Sequence, residues 1–95
     1  MQVNEFMVVC RFREGMEMRE VFAVVAEEQA AVAALSEEGR LGDIRLSLAR
    51  GTVFIAAFAS DADEAGSTVR SLPMAKWWDV DVFPIAAPAH QEVAS

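Results

Sequence analysis

Glu28 is the residue in this chain whose type and position most readily suggest chemistry. Val21, Val25, Val32 and Leu35 recur at intervals of four and three, the rhythm of one helix face at about 100° per residue. The position missing from that stripe is 28, and a glutamate fills it. Glu27, one step round, points away from the stripe and reads as a surface acid. A carboxyl turned toward an apolar face loses hydration, and its pKa rises toward the range where it can take and return a proton at neutral pH. Glu28 is therefore a candidate general acid/base. The alternatives are a structural ion pair with Arg11 or Arg45 from the sheet, or a helix rolled far enough to wet the carboxylate.

The other chemistry-bearing residues offer less. Arg11, Arg45 and Arg50 each present a guanidinium fork suited to a carboxylate or an oxyanion, and each also fits ordinary surface charge. Both tryptophans, Trp77 and Trp78, precede an Asp-Val-Asp-Val alternation. They could stack on a ligand or collar a short strand. Asp79 and Asp81 lie two apart, so they share one face of a strand; solvent, a subunit rim or arginine partners suit them better than a catalytic dyad. Cys10 sits on an apolar strand face and reads as core. His90 falls in the last residues of the chain and reads as solvated. There is no second cysteine or histidine, so neither an internal disulfide nor a Cys/His zinc cluster is expected. No glycine-rich phosphate loop and no G-x-S-x-G serine is present.

Those residues need a scaffold, and 95 residues with 54% apolar content provide one domain. Residues 1–88 read as that domain and 89–95 as a mobile tail. The formal charge of -7 argues against nucleic acid and against anionic membrane surfaces. No apolar run reaches the roughly 20 residues that span a bilayer. No charged segment followed by an apolar one opens the chain, so a cytoplasmic location is expected.

The elements follow from periodicity. Residues 5–12 (EFMVVCRF) form a strand apolar on both sides. Residues 17–38 form one long helix, closed by Gly39. Residues 41–50 alternate, with Ile44, Leu46 and Leu48 on one side and Arg45 and Ser47 on the other. Arg50-Gly51-Thr52 then turns into the apolar run VFIAAFA at 53–59, giving an antiparallel hairpin. A second helix starts at Ser60-Asp61 and ends before Pro73. Residues 78–85 form the last strand. The order β-α-β-β-α-β specifies an α+β, ferredoxin-like fold: a four-stranded antiparallel sheet with two helices on one face. Two helices leave the other face bare, and that face is also apolar. A second copy packed sheet to sheet, as a dimeric α+β barrel, would cover it.

The segments AEEQAAVAALSEEGRL and SLPMAKWWDVDVFPI, together with the opening strand EFMVVCRF, resemble the muconolactone δ-isomerase family. The resemblance spans roughly residues 4–88. It implies the ferredoxin-like fold, dimerisation through the sheets and in many members a larger ring. It also implies proton transfer on an unsaturated lactone, without metal or organic cofactor. In that family the proton is moved by a helix glutamate eleven residues before the helix-ending glycine; counting back from Gly39 reaches Glu28. The resemblance fails where the lactone is held. The family's second strand carries a Trp-Arg-His-Leu-Trp-Arg run, and here the segment reads RLGDIRLSLAR. The family's hairpin offers a tyrosine and an asparagine; here it reads RGTVFIA, and the chain has no tyrosine. A more apolar substrate, or a lost activity, would account for this.

Two functional classes follow. The first is a cofactor-free isomerase acting on a hydrophobic lactone or polyketide-like small molecule, or a polyketide-type cyclase on the same fold. Glu28 would be its proton carrier, with Arg45, Phe54, Trp77 and Trp78 as substrate-binding residues. The second is a non-catalytic ligand-binding or assembly protein in which side chains fill the pocket. A cavity beside Glu28 separates the two.

Overall fold

The computed structural model describes residues 3–86, so the C-terminal tail and His90 lie outside the described residues. Strand β1 (Asn4–Phe12) is followed by helices α1 (Met18–Ala23) and α2 (Val25–Glu37). Strands β2 (Leu41–Ser47) and β3 (Thr52–Ala59), helix α3 (Ala62–Arg70) and strand β4 (Trp78–Pro84) complete the order. A single antiparallel sheet runs β2-β3-β1-β4, the ferredoxin-like arrangement. The helices cover one face. Among the described residues no helix is long and apolar enough to cross a membrane.

The expected single helix over 17–38 is two helices. Val24 leaves the helical region, with φ -109° and ψ 9°, and its amide bonds the Val21 carbonyl in a tighter turn. The β-branched pair Val24-Val25 is a poor helix interior, and the break lets α1 fold down until Val21 is buried. The far end of α2 is as expected. Gly39 adopts φ 76°, and the Arg40 amide reaches back to the Leu35 carbonyl while that of Gly39 reaches Ser36. This is the Schellman closure, which the left-handed glycine permits.

Strand alternation sorts the sheet into two faces. Phe6, Val8 and Cys10 of β1 oppose Ala57, Ile55 and Val53 of β3, and all six are buried under the helices with Val69 and Leu72. The opposite face carries Met7 against Ala56, Val9 against Phe54 and Glu5 against Phe58 across the same two strands, with Phe83 beside Met7 on β4. Phe54 and Phe83 are exposed. Arg11 pairs with Asp81 at 2.9 Å on this face, and Asp79 lies 3.8 Å from Arg13. The acidic pair is thus the wet side of an edge strand.

The β2–β3 hairpin is longer than the alternation implied. Leu48–Arg50 form a short 3-10 turn closed by Gly51 at φ 54°, so β2 ends at Ser47. A register shift between Leu41 and Ile44 accommodates Gly42, where a Cβ would sit 2.9 Å from the Phe58 ring.

Helix α3 begins as expected. The Asp61 side chain accepts the Glu64 amide at 2.8 Å, while Glu64 accepts from the Ser60 amide at 2.6 Å. The Asp61→Ala protein should lose about 1 kcal/mol of stability, read as a lower urea midpoint with an unchanged slope.

Candidate functional site

Between α1, α2 and the β2–β3 half of the sheet lies a cavity of about 580 Å³. Its floor is Phe12, Val53 and Ile55 from the sheet. Val21, Val25 and Val32 wall it from the helices, and Trp78 and Met74 close one end. Ile44, Leu46 and Leu48 stand at its β2 side, with Met18 and Phe22 of α1 across from them. The mouth is unusually apolar for a surface: Leu48 is 86% exposed, Phe22 66% and Leu46 62%. The break at Val24 helps shape this site, because it sets α1 at a different angle from α2 and so places Met18 and Phe22 at the mouth.

Among the described residues one ionisable side chain lines this cavity, and it is Glu28. It lies in the first turn of α2, half-buried, and its Oε1 accepts the Met74 backbone N–H at 2.9 Å. Burial pushes the carboxyl above its ordinary value of 4.5, and the Met74 hydrogen bond pulls part of that shift back. The donor is explained by the turn. Pro73 opens the 3-10 segment Pro73–Trp77 and has no N–H. Met74 therefore supplies the first free amide, one that a helix start leaves without an internal acceptor. No ion pair involves Glu28 among the described residues. Both arginines considered as partners are turned away, with Arg11 on Asp81 and Arg45 on the far face of the sheet. The negative charge of Glu28 is felt by Cys10. Burial first and that charge second, opposed by Arg70, push the thiol up to about 12, so Cys10 stays protonated and is no nucleophile.

The residues put forward from the sequence divide. Trp78 lines the cavity, is 4% exposed and meets Phe12 edge to face at 6.0 Å. Its indole N–H has no acceptor among the described residues. Trp77 is outside the cavity, with the Lys76 ammonium 4.7 Å above its ring. Arg45 and Phe54 face each other across β2 and β3, one residue out of phase with Ile44, Leu46, Val53 and Ile55. The structure therefore does not bring them to Glu28; strand parity sends them to the opposite face. Sequence reasoning does not single out Met74, or Gln29, the other polar side chain on the wall. The Leu-Pro turn was the signal for the Met74 amide. Gln29 had none beyond being next to Glu28.

No group of three or more potential metal ligands occurs among the described residues. The family model for muconolactone delta-isomerase matches residues 5–91, nearly the whole chain. The chain belongs to that family. Membership supports an isomerase-like function at the level of the family. No curated protein matches closely enough to add a nearer relative. Within this muconolactone delta-isomerase family fold, the cavity beside Glu28 is walled by hydrocarbon on nearly every side.

A carboxyl whose pKa is raised by folding keeps its proton longer in the folded state. Stability therefore falls as pH rises from the ordinary 4.5 through the raised value. Below that window both states are protonated and the loss is absent. Glu28→Gln removes the ionisation and keeps an oxygen for the Met74 amide. Urea midpoints should show the variant more stable than the parent at pH 7 and equal to it near pH 4.

Proposed function

We propose that the protein is a cofactor-free isomerase that moves a proton within a hydrophobic unsaturated carbonyl compound, lactone or polyketide-like, held beside Glu28. The observation that carries this reading is a lone carboxyl of raised pKa on the wall of an otherwise apolar cavity. At about 580 Å³, the space falls in the range of small-ligand sites. A protein whose own side chains had filled the pocket would lack it.

The chemistry needs little else. The Glu28 carboxylate removes a proton from the carbon next to the carbonyl; the C–H electron pair moves into a dienolate, and the carbonyl oxygen takes the negative charge. The same carboxyl, now protonated, returns the proton at the far end of the conjugated system. Atoms and electrons balance with no other reactant. The Gln29 side-chain amide is the polar group on the wall able to donate toward the developing oxyanion. Apolar walls exclude water, which strengthens that hydrogen bond and protects the dienolate from stray protonation. They also favour a greasier substrate than a lactone that carries its own carboxylate.

The apolar outer face of the sheet supports a second element of the proposal. Two copies pack through Met7, Val9, Phe54, Phe58 and Phe83 to form a dimeric barrel, with Arg11, Asp79 and Asp81 toward its rim. Placing Phe54 in this contact gives it a role distinct from substrate binding.

Turnover of a hydrophobic β,γ-unsaturated ketone or lactone, followed by absorbance of the conjugated product, should drop by about 10²- to 10⁴-fold in Glu28→Gln. The fold should be retained by circular dichroism. Unchanged turnover would remove Glu28 from the mechanism. In sedimentation velocity at micromolar concentration the parent should run as a dimer or larger, and Phe54→Glu as a monomer. A monomeric parent would refute the barrel.

A further inference from the structure

A second concavity, of about 480 Å³, lies beside the edge strand β4, and Trp78 belongs to its wall as well as to that of the Glu28 cavity. Its character is the opposite. Arg13 enters it from the end of β1, Arg70 from the end of α3 and Lys76 from the 73–77 turn, while Asp79 is the one acid among the described residues of its lining. Three of the chain's eight basic residues thus converge on one cleft in a protein of net charge -7. Such a cluster concentrates positive potential where the overall field is negative.

The cations are individually arranged. Arg13 donates to the Lys76 carbonyl and lies 3.8 Å from Asp79. The Lys76 ammonium is held over the Trp77 ring, a cation–π contact that leaves its N–H groups free. Arg70 has neither an acid nor a hydrogen-bond acceptor among the described residues. Its guanidinium lies back over α3. Gly66 lies one turn back on the same helix, and a Cβ there would stand 2.7 Å from Arg70 Nη1 and 3.4 Å from Val82 Cγ2. Glycine inside a helix costs stability relative to alanine, and the space it leaves is occupied by this guanidinium.

We propose that this cleft is a binding site for a small dianion, either a phosphoryl group or a pair of carboxylates, with Arg70 as its principal ligand and Arg13 and Lys76 flanking. Two negative charges match the three cations less Asp79. Arginine's planar fork suits both oxyanion types. The site is separate from the Glu28 cavity and does not depend on the chemistry there.

The test is a titration of the ¹⁵N-labelled full chain with inorganic phosphate and, separately, with succinate, at constant ionic strength, with acetate as the monoanion reference. Expected are saturable shifts confined to residues 13, 66, 70, 76 and 78 with one or both dianions and none that saturate with acetate. Saturation by phosphate alone identifies a phosphoryl site, and by succinate alone a dicarboxylate site. Arg70→Gln, at an exposed position that the fold tolerates, should weaken binding about tenfold, the loss of one charge-assisted contact. Gly66→Ala keeps every charge and requires only the flexible end of Arg70 to shift, so it should retain saturable dianion binding, with the helix intact by circular dichroism. Arg19→Gln, a cation on α1, should change nothing. Absence of saturation, equal shifts with acetate, or undiminished binding in Arg70→Gln would overturn the proposal.

Discussion

The structure turns on the cost of keeping one carboxylate against hydrocarbon. A charged group drawn out of water loses several kcal/mol of hydration unless a partner compensates. At Glu28 the partner is a single backbone amide, that of Met74, and not an opposite charge. A salt bridge would hold the carboxylate ionised and inert. One neutral donor leaves the pKa raised, as the proposed proton transfer requires. The surrounding features serve this compromise. The 73–77 turn delivers the amide, the break at Val24 angles α1 across the opening, and β2 and β3 supply a floor free of polar groups.

The two faces of the sheet divide the labour. The helix-covered face holds the core at its centre, Val8, Cys10, Ile55 and Val69, and the cavity toward β2 and α1. The other face is apolar in the middle and charged at the β4 edge, where Arg11 and Asp81 meet. A one-residue change of strand phase would exchange these roles, since alternate side chains point to opposite faces. This is why Arg45 and Phe54 belong to a different surface from Ile44 and Ile55, although each is adjacent in sequence.

Most of the fold was legible because its signals are local and periodic. The EFMVVCRF alternation, the Gly39 stop, the Ser60-Asp61 cap and the Pro73 break each act within a few residues, and each element lies where those signals put it. Glu28 was legible for the same reason: an acid at a 4-and-3 position is visible without a structure, and the stripe does face inward. The failures came from less local causes. The break at Val24 rests on the β-branched pair Val24-Val25, a weak signal inside an alanine-rich run, together with the burial of Val21 that a change of axis permits. The Met74 amide reaches Glu28 across 46 positions, a separation no periodicity encodes. Arg45 was chosen for its chemistry against the strand parity that already opposed it.

The 73–77 turn has one more consequence. Its Met74 amide grips Glu28 on one side, and Lys76, two residues on, enters the cationic cleft on the other; Trp78 just beyond is common to both walls. The two linings are therefore joined by five residues of continuous backbone. Thermodynamic linkage makes such a connection reciprocal: whatever occupancy of one hollow does to the other, the second must do to the first. The apolar cavity and the cationic cleft thus have one short segment and one wall in common, so a substitution within residues 73–78 touches the lining of both.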